Sequence, residues 1–104
     1  MLKDKAPALF ITLDLGIGNI EEVKSANKMG FEVIIVDHHE VLKGIPDASI
    51  IVDPKQPLDD YSFKGLANVG IAYNLCLELL GKNISVNLKN SFLELAAQLQ
   101  LILY

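Results

Sequence analysis

The chain has 104 residues and a formal net charge of −4, with nine Lys, no Arg and a single Cys. This length suffices for one small domain. An acidic chain is not expected to hold nucleic acid by charge alone, and without Arg it lacks the bidentate fork that guanidinium offers to phosphate. A single Cys excludes an internal disulfide. The absence of a disulfide framework fits a reducing compartment, so we expect a cytoplasmic protein.

Hydrophobic residues make up 51% of the sequence and the mean hydropathy is +0.34. A small domain leaves much of its surface unburied. We therefore expect exposed apolar surface that is covered by a second copy of the chain or by further domains. No apolar stretch reaches membrane-spanning length, so a membrane is not expected among the partners.

The first half of the chain has the pattern of a βαβ unit. Residues 8–13 form an apolar run typical of strands that are buried on both faces of a parallel sheet. Residues 20–29 have helical spacing, with Asn19 as the expected N-cap and Gly30 after the last turn. Residues 31–36 are again apolar and predict the second strand.

The second half predicts one more strand and two helices. Residues 48–52 are a short apolar run, and residues 53–65 read as a loop. Residues 65–80 predict a helix with Cys76 in its buried apolar face, and a last helix starts at residue 85 or 87. We therefore predict an α/β fold in three layers, with a small parallel sheet built on the βαβ unit and helices on both faces.

Side chains with metal-binding chemistry follow the first two predicted strands. Asp14 ends the first apolar run, and Asp37, His38 and His39 end the second. Ligands gather at the carboxyl ends of parallel strands, and neighbouring strands lie about 4.8 Å apart. Mixed carboxylate and imidazole ligands suit Mn²⁺ or Mg²⁺, and a pair of such ions can activate a water and stabilise a transferring phosphoryl group. In the alternative interpretation, one His caps the strand end and the other is solvated.

Two further positions have a structural interpretation beside a functional one. Asp53 precedes Pro54 and is interpreted as a turn residue rather than an outer acid of the site. Gly70 lies near the start of a predicted helix. It could contact a phosphate, or it could allow close packing of the helix against the sheet.

The motifs resemble those of the DHH phosphoesterase superfamily, which takes its name from the triplet at Asp37, His38 and His39. The resemblance covers residues 8 to about 98. Within the superfamily, the sequence is most similar in detail to the RecJ-type single-strand exonucleases. The stretches that carry it are residues 12–17, 28–36, 46–48, 52–56 and 66–73.

The resemblance implies a role for each matching residue. Asp14 corresponds to the aspartate that bridges two metal ions, and His38 to a metal-ligating histidine. His39 corresponds to the histidine that contacts the scissile phosphate. Asp37 corresponds to the aspartate that orients these ligands. Gly70 is the further candidate for substrate binding.

The implied function is hydrolysis of phosphodiesters in single-stranded DNA or RNA with Mn²⁺ or Mg²⁺, as in DNA repair. Within the superfamily, the substrate could instead be a nanoRNA, a cyclic dinucleotide, phosphoadenosine phosphate or pyrophosphate. A different class of function is a non-catalytic DHH-fold protein that binds a partner.

Three parts of the family pattern have no counterpart in residues 1–104. They are an earlier Asp–His motif, a last metal-binding aspartate and a C-terminal substrate-binding domain. The resemblance therefore implies a partial DHH domain that is inactive by itself. Residues 98–104 lack an acid and end on an apolar stretch, which we interpret as a truncated or altered end.

Overall fold

The computed structural model describes residues 2–102 of the chain, with side chains described for residues 3–99. A 3₁₀ turn at Leu2–Lys5 precedes the first strand. The elements that follow are β1 (Ala8–Leu13), α1 (Ile20–Lys28), β2 (Phe31–Val36), β3 (Ile50–Val52), α2 (Asn68–Leu80), a 3₁₀ turn (Gly81–Asn83) and α3 (Val86–Ile102). The predicted α/β class is confirmed. The third strand and α2 begin later than predicted, and the predicted ending over residues 98–104 lies partly outside the described residues.

The three strands form one parallel sheet in the order β1-β2-β3. The ladder continues one residue past each of the first two strands. The N–H of Asp14 donates to the carbonyl of Val36 over 2.9 Å, and the N–H of Asp37 donates to the carbonyl of Val52 over 3.0 Å. The residues that follow the three strands therefore lie side by side at the carboxyl edge of the sheet.

The core lies between β2 and α1. Phe31, Val33 and Ile35 alternate along β2 and are buried against Val23 and Ala26 of α1. Burying a side chain of this kind contributes about 1.5–3 kcal/mol. β2 is the central strand, so this contact anchors the segment from which the Asp37 triplet emerges.

The opposite side of the sheet is largely open within residues 2–102. Leu9, Ile11 and Leu13 share one face of β1 and are 53%, 52% and 52% exposed, and Ile50 of β3 lies in the same row as Ile11. We call these four residues the open face. The expectation that residues 8–13 are buried on both sides is wrong here, because all of these residues except Thr12 are exposed and the described helices pack mainly on β2.

Two helices complete the described chain. α2 contacts both β2 and α3, so helices flank the sheet as predicted. Cys76 is exposed, which corrects the prediction that it is buried. It lies beside a groove between α2 and α3, lined also by Tyr73 and Phe92, that no other described element covers. No helix within residues 2–102 combines the length and apolarity needed to cross a membrane.

The helix ends follow the sequence prediction only in part. Gly30 follows α1 with a φ of +91°, as expected for the residue that ends a helix. Asn19 occupies the N-cap position, but its side chain makes no capping hydrogen bond. The predicted position of the N-cap is therefore correct, but the predicted capping by the Asn19 side chain is wrong.

Candidate metal centre at the carboxyl edge of the sheet

Asp14 leaves β1 in a left-handed backbone conformation, with a φ of +65°. This region is uncommon for residues other than Gly, although Asp tolerates it better than most. Oδ1 of Asp14 lies 3.0 Å from Nε2 of His38, the second residue after β2. The parallel register thus brings together the two residues that the sequence assigned to metal binding.

Gly16 allows the loop after Asp14 to lie against the sheet. Its φ is +123°, and a Cβ at this position would lie 2.7 Å from Oγ1 of Thr12 and 2.9 Å from Cγ2 of Ile35. Only Gly fits such a position. The close approach places the buried Ile17 so that its N–H donates to Oδ2 of Asp37 over 3.0 Å.

Asp37 is 1% exposed and accepts hydrogen bonds from several groups. In addition to Ile17, the N–H of His38 contacts Oδ1 over 2.8 Å, and Nδ1 of His39 contacts it over 2.6 Å. Burial alone would raise the pKa of Asp37. The hydrogen bonds from Ile17, His38 and His39 outweigh burial, so the pKa lies below the usual 3.8. Asp37 is therefore an anion at neutral pH that holds the His39 ring by Nδ1.

Ligand atoms of Asp14, His38 and His39 all lie within 4.8 Å of one another. Because Asp37 holds Nδ1 of His39, Nε2 is the ring nitrogen left for an ion or a substrate. This is the usual carboxylate–histidine arrangement of metal sites. Two ligand atoms at right angles on one ion, each about 2.1 Å from it, lie about 3.0 Å apart. The contact between Asp14 and His38 has this spacing, which is also that of a hydrogen bond between the two groups. The fit to a divalent cation therefore rests on the donor set itself, one carboxylate and two imidazoles.

Asp53 follows β3 and is almost completely buried. Its Oδ1 accepts the N–H of Lys55 over 2.9 Å, which closes an Asx turn, as the turn interpretation predicts. Its Oδ2 has no hydrogen-bond partner among the described groups. Burial raises the pKa of Asp53 and the nearby negative charge of Asp37 adds to the increase, although the Lys55 N–H opposes it.

Gly70 lies in the first turn of α2 and is buried. A Cβ at this position would lie 2.5 Å from Cδ1 of Leu66. This contact is with the segment that precedes α2 and not with the sheet, so the close packing of the helix against the sheet stays a prediction. A cleft of about 380 Å³ lies beside the cluster, and Gly70 does not line it. It is lined by residues 14–19 and by Asp37, His39, Glu40, Leu42 and Lys43.

Asn68 was missed by the sequence interpretation. It is the first residue of α2, is 7% exposed and lies beside the backbone of Asp14 and Val36. In the sequence it is one of several polar residues near a predicted helix start. Nothing in the local pattern connects it with a residue as distant as Asp14.

Comparison with known proteins agrees with the resemblance found in the sequence. The profile of the family described as "DHH family, N-terminal domain" matches residues 2–98. The single-stranded-DNA-specific exonuclease RecJ of Bacillus subtilis (strain 168) is 45% identical over 96 residues, which are 92% of this chain and 12% of that protein.

Two further relatives are more distant. RecJ of Salmonella typhimurium (strain LT2) is 36% identical over 77 residues, or 74% of this chain and 13% of that protein. The putative SPbeta prophage-derived single-strand DNA-specific exonuclease YorK of Bacillus subtilis is 33% identical over 89 residues, or 86% of this chain and 15% of that protein. The chain thus spans only 12–15% of the length of these relatives. With the family profile covering nearly the whole sequence, the chain belongs to the DHH family and is RecJ-like within it.

Proposed function

We propose that this chain forms part of a centre that hydrolyses phosphodiesters in single-stranded DNA or RNA with Mn²⁺ or Mg²⁺, and that it works in the cytoplasm. The observation that carries the proposal is the cluster of Asp14, His38 and His39 at the carboxyl edge of the sheet. The names of the RecJ and YorK relatives, which are single-strand-DNA-specific exonucleases, support the choice of substrate.

The exposure of the two imidazoles supports different roles for them. The His38 side chain is 26% exposed and contacts Asp14, which suits a residue that holds the ion together with Asp14. The His39 side chain is 57% exposed, which suits contact with the scissile phosphate. Asp37 orients His39 through Nδ1. A bound divalent cation supplies charge neutralisation for the phosphoryl group and activation of the attacking water.

The open face suggests how the remaining ligands of a two-ion centre could be supplied. Four apolar side chains are about half exposed on one side of the sheet, and β1 is an edge strand. Apolar patches and unpaired edges of this kind are typical of surfaces that receive another element. We propose that further polypeptide covers the open face, either a second copy or additional domains.

Metal binding is the first test. Calorimetry with Mn²⁺ should give weak binding by the unmodified chain and binding at least tenfold weaker for His38→Ala and Asp14→Asn. The matched control is Asp47→Asn, because Asp47 is exposed and precedes β3 at the opposite edge of the sheet. Equal Mn²⁺ affinity in the unmodified chain and His38→Ala would refute the proposed site.

Substrate recognition is the second test. Fluorescence anisotropy with labelled single-stranded DNA should show binding that requires Mn²⁺ and that is lost in His38→Ala. In a parallel titration with a labelled cyclic dinucleotide, binding of this ligand by a chain that does not bind the labelled single strand would assign a small-nucleotide substrate. Mn²⁺ binding without affinity for any phosphodiester would favour the non-catalytic, partner-binding alternative.

A further inference from the structure

The side chain of Asn68 lies between the backbones of β1 and β2 where both strands end. One orientation of its amide satisfies both neighbours. In this orientation, Nδ2 donates to the carbonyl of Val36 over 3.0 Å, and Oδ1 accepts the N–H of Asp14 over 2.9 Å. The single N–H of Asp14 also donates to this Val36 carbonyl, so its hydrogen is shared between two acceptors. Asn68 therefore closes a small ring of hydrogen bonds around the first residue of the candidate metal centre.

The position of Asn68 in α2 explains why its amide is available for this contact. Ala67 is the N-cap of α2, so Asn68 lies one residue too late to cap the helix. Ala67 and Ile71 are each only 4% exposed, which fixes the first turn of α2 in the protein interior. The Asn68 amide is thus presented to the strand ends from a rigid support.

Asp14 needs such support because its backbone conformation is unfavourable. Its φ of +65° lies in the left-handed region, which Asp tolerates better than most residues but which still costs more for Asp than for Gly. This conformation turns the chain sharply at the end of β1, and it sets the direction in which the Asp14 carboxylate approaches Nε2 of His38. Such conformations persist only where the surrounding structure holds them in place.

We propose that Asn68 is a positioning residue that holds Asp14 in its left-handed conformation and thereby aims the Asp14 carboxylate at the ion site. The metal-binding role of Asp14 in this proposal rests on the function proposed above. The hydrogen bonds between Asn68 and the strand ends do not depend on that function.

The test is Asn68→Ala, with Val23→Ala as the matched control. Val23 is a buried residue of α1 that packs in the core with residues of β2, so its truncation also destabilises the fold. Loss of the two Asn68 hydrogen bonds should weaken Mn²⁺ binding roughly tenfold, whereas folded Val23→Ala should bind as the unmodified chain does. Nuclear magnetic resonance adds a specific signature, the strong contact between the H^N and Hα of Asp14 that marks a positive φ. This signature should disappear in Asn68→Ala and persist in Val23→Ala.

A folded Asn68→Ala chain that keeps both its Mn²⁺ affinity and the Asp14 signature would overturn the proposal. If Asn68→Ala does not fold, hydrogen exchange of the Asn68 side-chain amide is measured in the unmodified chain instead. Slow exchange supports the proposed hydrogen bonds of Asn68, and rapid exchange refutes the proposal. If the unmodified chain binds no Mn²⁺, the proposed function fails. The Asp14 signature then decides the positioning role by itself, since its loss in Asn68→Ala supports that role and its persistence refutes it.

Discussion

Replacement of Asp37 by Asn tests whether this carboxylate organises the site. The substitution keeps the size of the side chain but leaves one acceptor oxygen where the carboxylate has two. If the remaining oxygen faces His38 and His39, the new NH₂ group opposes the N–H of Ile17. In the reverse orientation, it opposes the donors of His38 and His39. At least one buried N–H therefore loses its acceptor in either case.

The expected loss in the free energy of unfolding follows from these contacts. A hydrogen bond to a charged group contributes about 1.5–3 kcal/mol, and a buried donor without a partner costs about 1–3 kcal/mol. We expect Asp37→Asn to lower the free energy of unfolding by about 2–4 kcal/mol at pH 7. This is a large part of the roughly 5–15 kcal/mol that is typical of a domain.

The effect should depend on pH. The pKa of Asp37 in the folded chain lies below 3.8, so the unfolded chain takes up this proton first as the pH falls. The stability that Asp37 contributes is complete well above pH 3.8 and is lost as the pH falls through the lowered pKa. The difference between the unmodified chain and Asp37→Asn should therefore be largest near neutral pH and should shrink below pH 3.8.

Urea unfolding followed by circular dichroism in metal-free buffer provides the measurement, at pH 7 and again at acidic pH. Asp60→Asn is the matched control, because Asp60 is an exposed loop carboxylate. Its substitution should change the unfolding free energy by less than about 0.5 kcal/mol. An equally small change for Asp37→Asn at pH 7 would refute the role of Asp37 as a buried, multiply bonded anion.

Three further predictions concern other parts of the molecule. Asp53→Asn should raise the unfolding free energy at pH 7 by about 1 kcal/mol, because Oδ2 is buried without a described partner and the pKa of Asp53 is raised. Thermal unfolding checks this change. Because the pKa of Asp53 in the folded chain exceeds 3.8, the greater stability of Asp53→Asn should vanish as the pH falls through that raised pKa. Gly16→Ala should cost about 2–4 kcal/mol by urea unfolding, since its φ is +123° and a Cβ would lie 2.7 Å from a neighbouring side chain. Gly18→Ala should be nearly neutral, since a Cβ there meets no atom within 4 Å. Ile11→Lys on the open face should reduce self-association measured by light scattering, whereas Asn90→Lys, with the same charge change on α3, should not.

Each of these three predictions can be contradicted by a specific outcome. A less stable Asp53→Asn chain at pH 7 would show that the carboxylate has a stabilising partner. Equal stability of Gly16→Ala and Gly18→Ala would show that the loop after β1 is not held against the sheet. Unchanged association of Ile11→Lys would mean that the open face is not the surface through which the chain self-associates.

Much of the fold could be predicted because its signals are local. The apolar runs at residues 8–13 and 31–36 and the helical spacing between them define a βαβ unit. Parallel topology then requires Asp14 and the Asp37 triplet to share one edge of the sheet. The proximity of Asp14 and His38 could be inferred from the sequence for this reason, and the structure adds the distance of 3.0 Å.

Burial was less predictable because it depends on what lies opposite a residue. The run at residues 8–13 is as apolar as a central strand, yet β1 lies at an edge and its open face has no described cover. Cys76 fits the apolar pattern of α2 but lies beside an uncovered groove. Neither outcome is encoded in the local pattern of side chains.

The sequence by itself determined the ancestry of this protein, its α/β unit and the edge where the ligand residues gather. Only the tertiary structure decided how these residues are held. Ile17 donates to a carboxylate 20 residues away, and Asn68 reaches Asp14 from another element of the fold. Such contacts depend on the packing of whole elements, because a hydrogen bond requires two groups to meet within about 3 Å regardless of their separation along the chain.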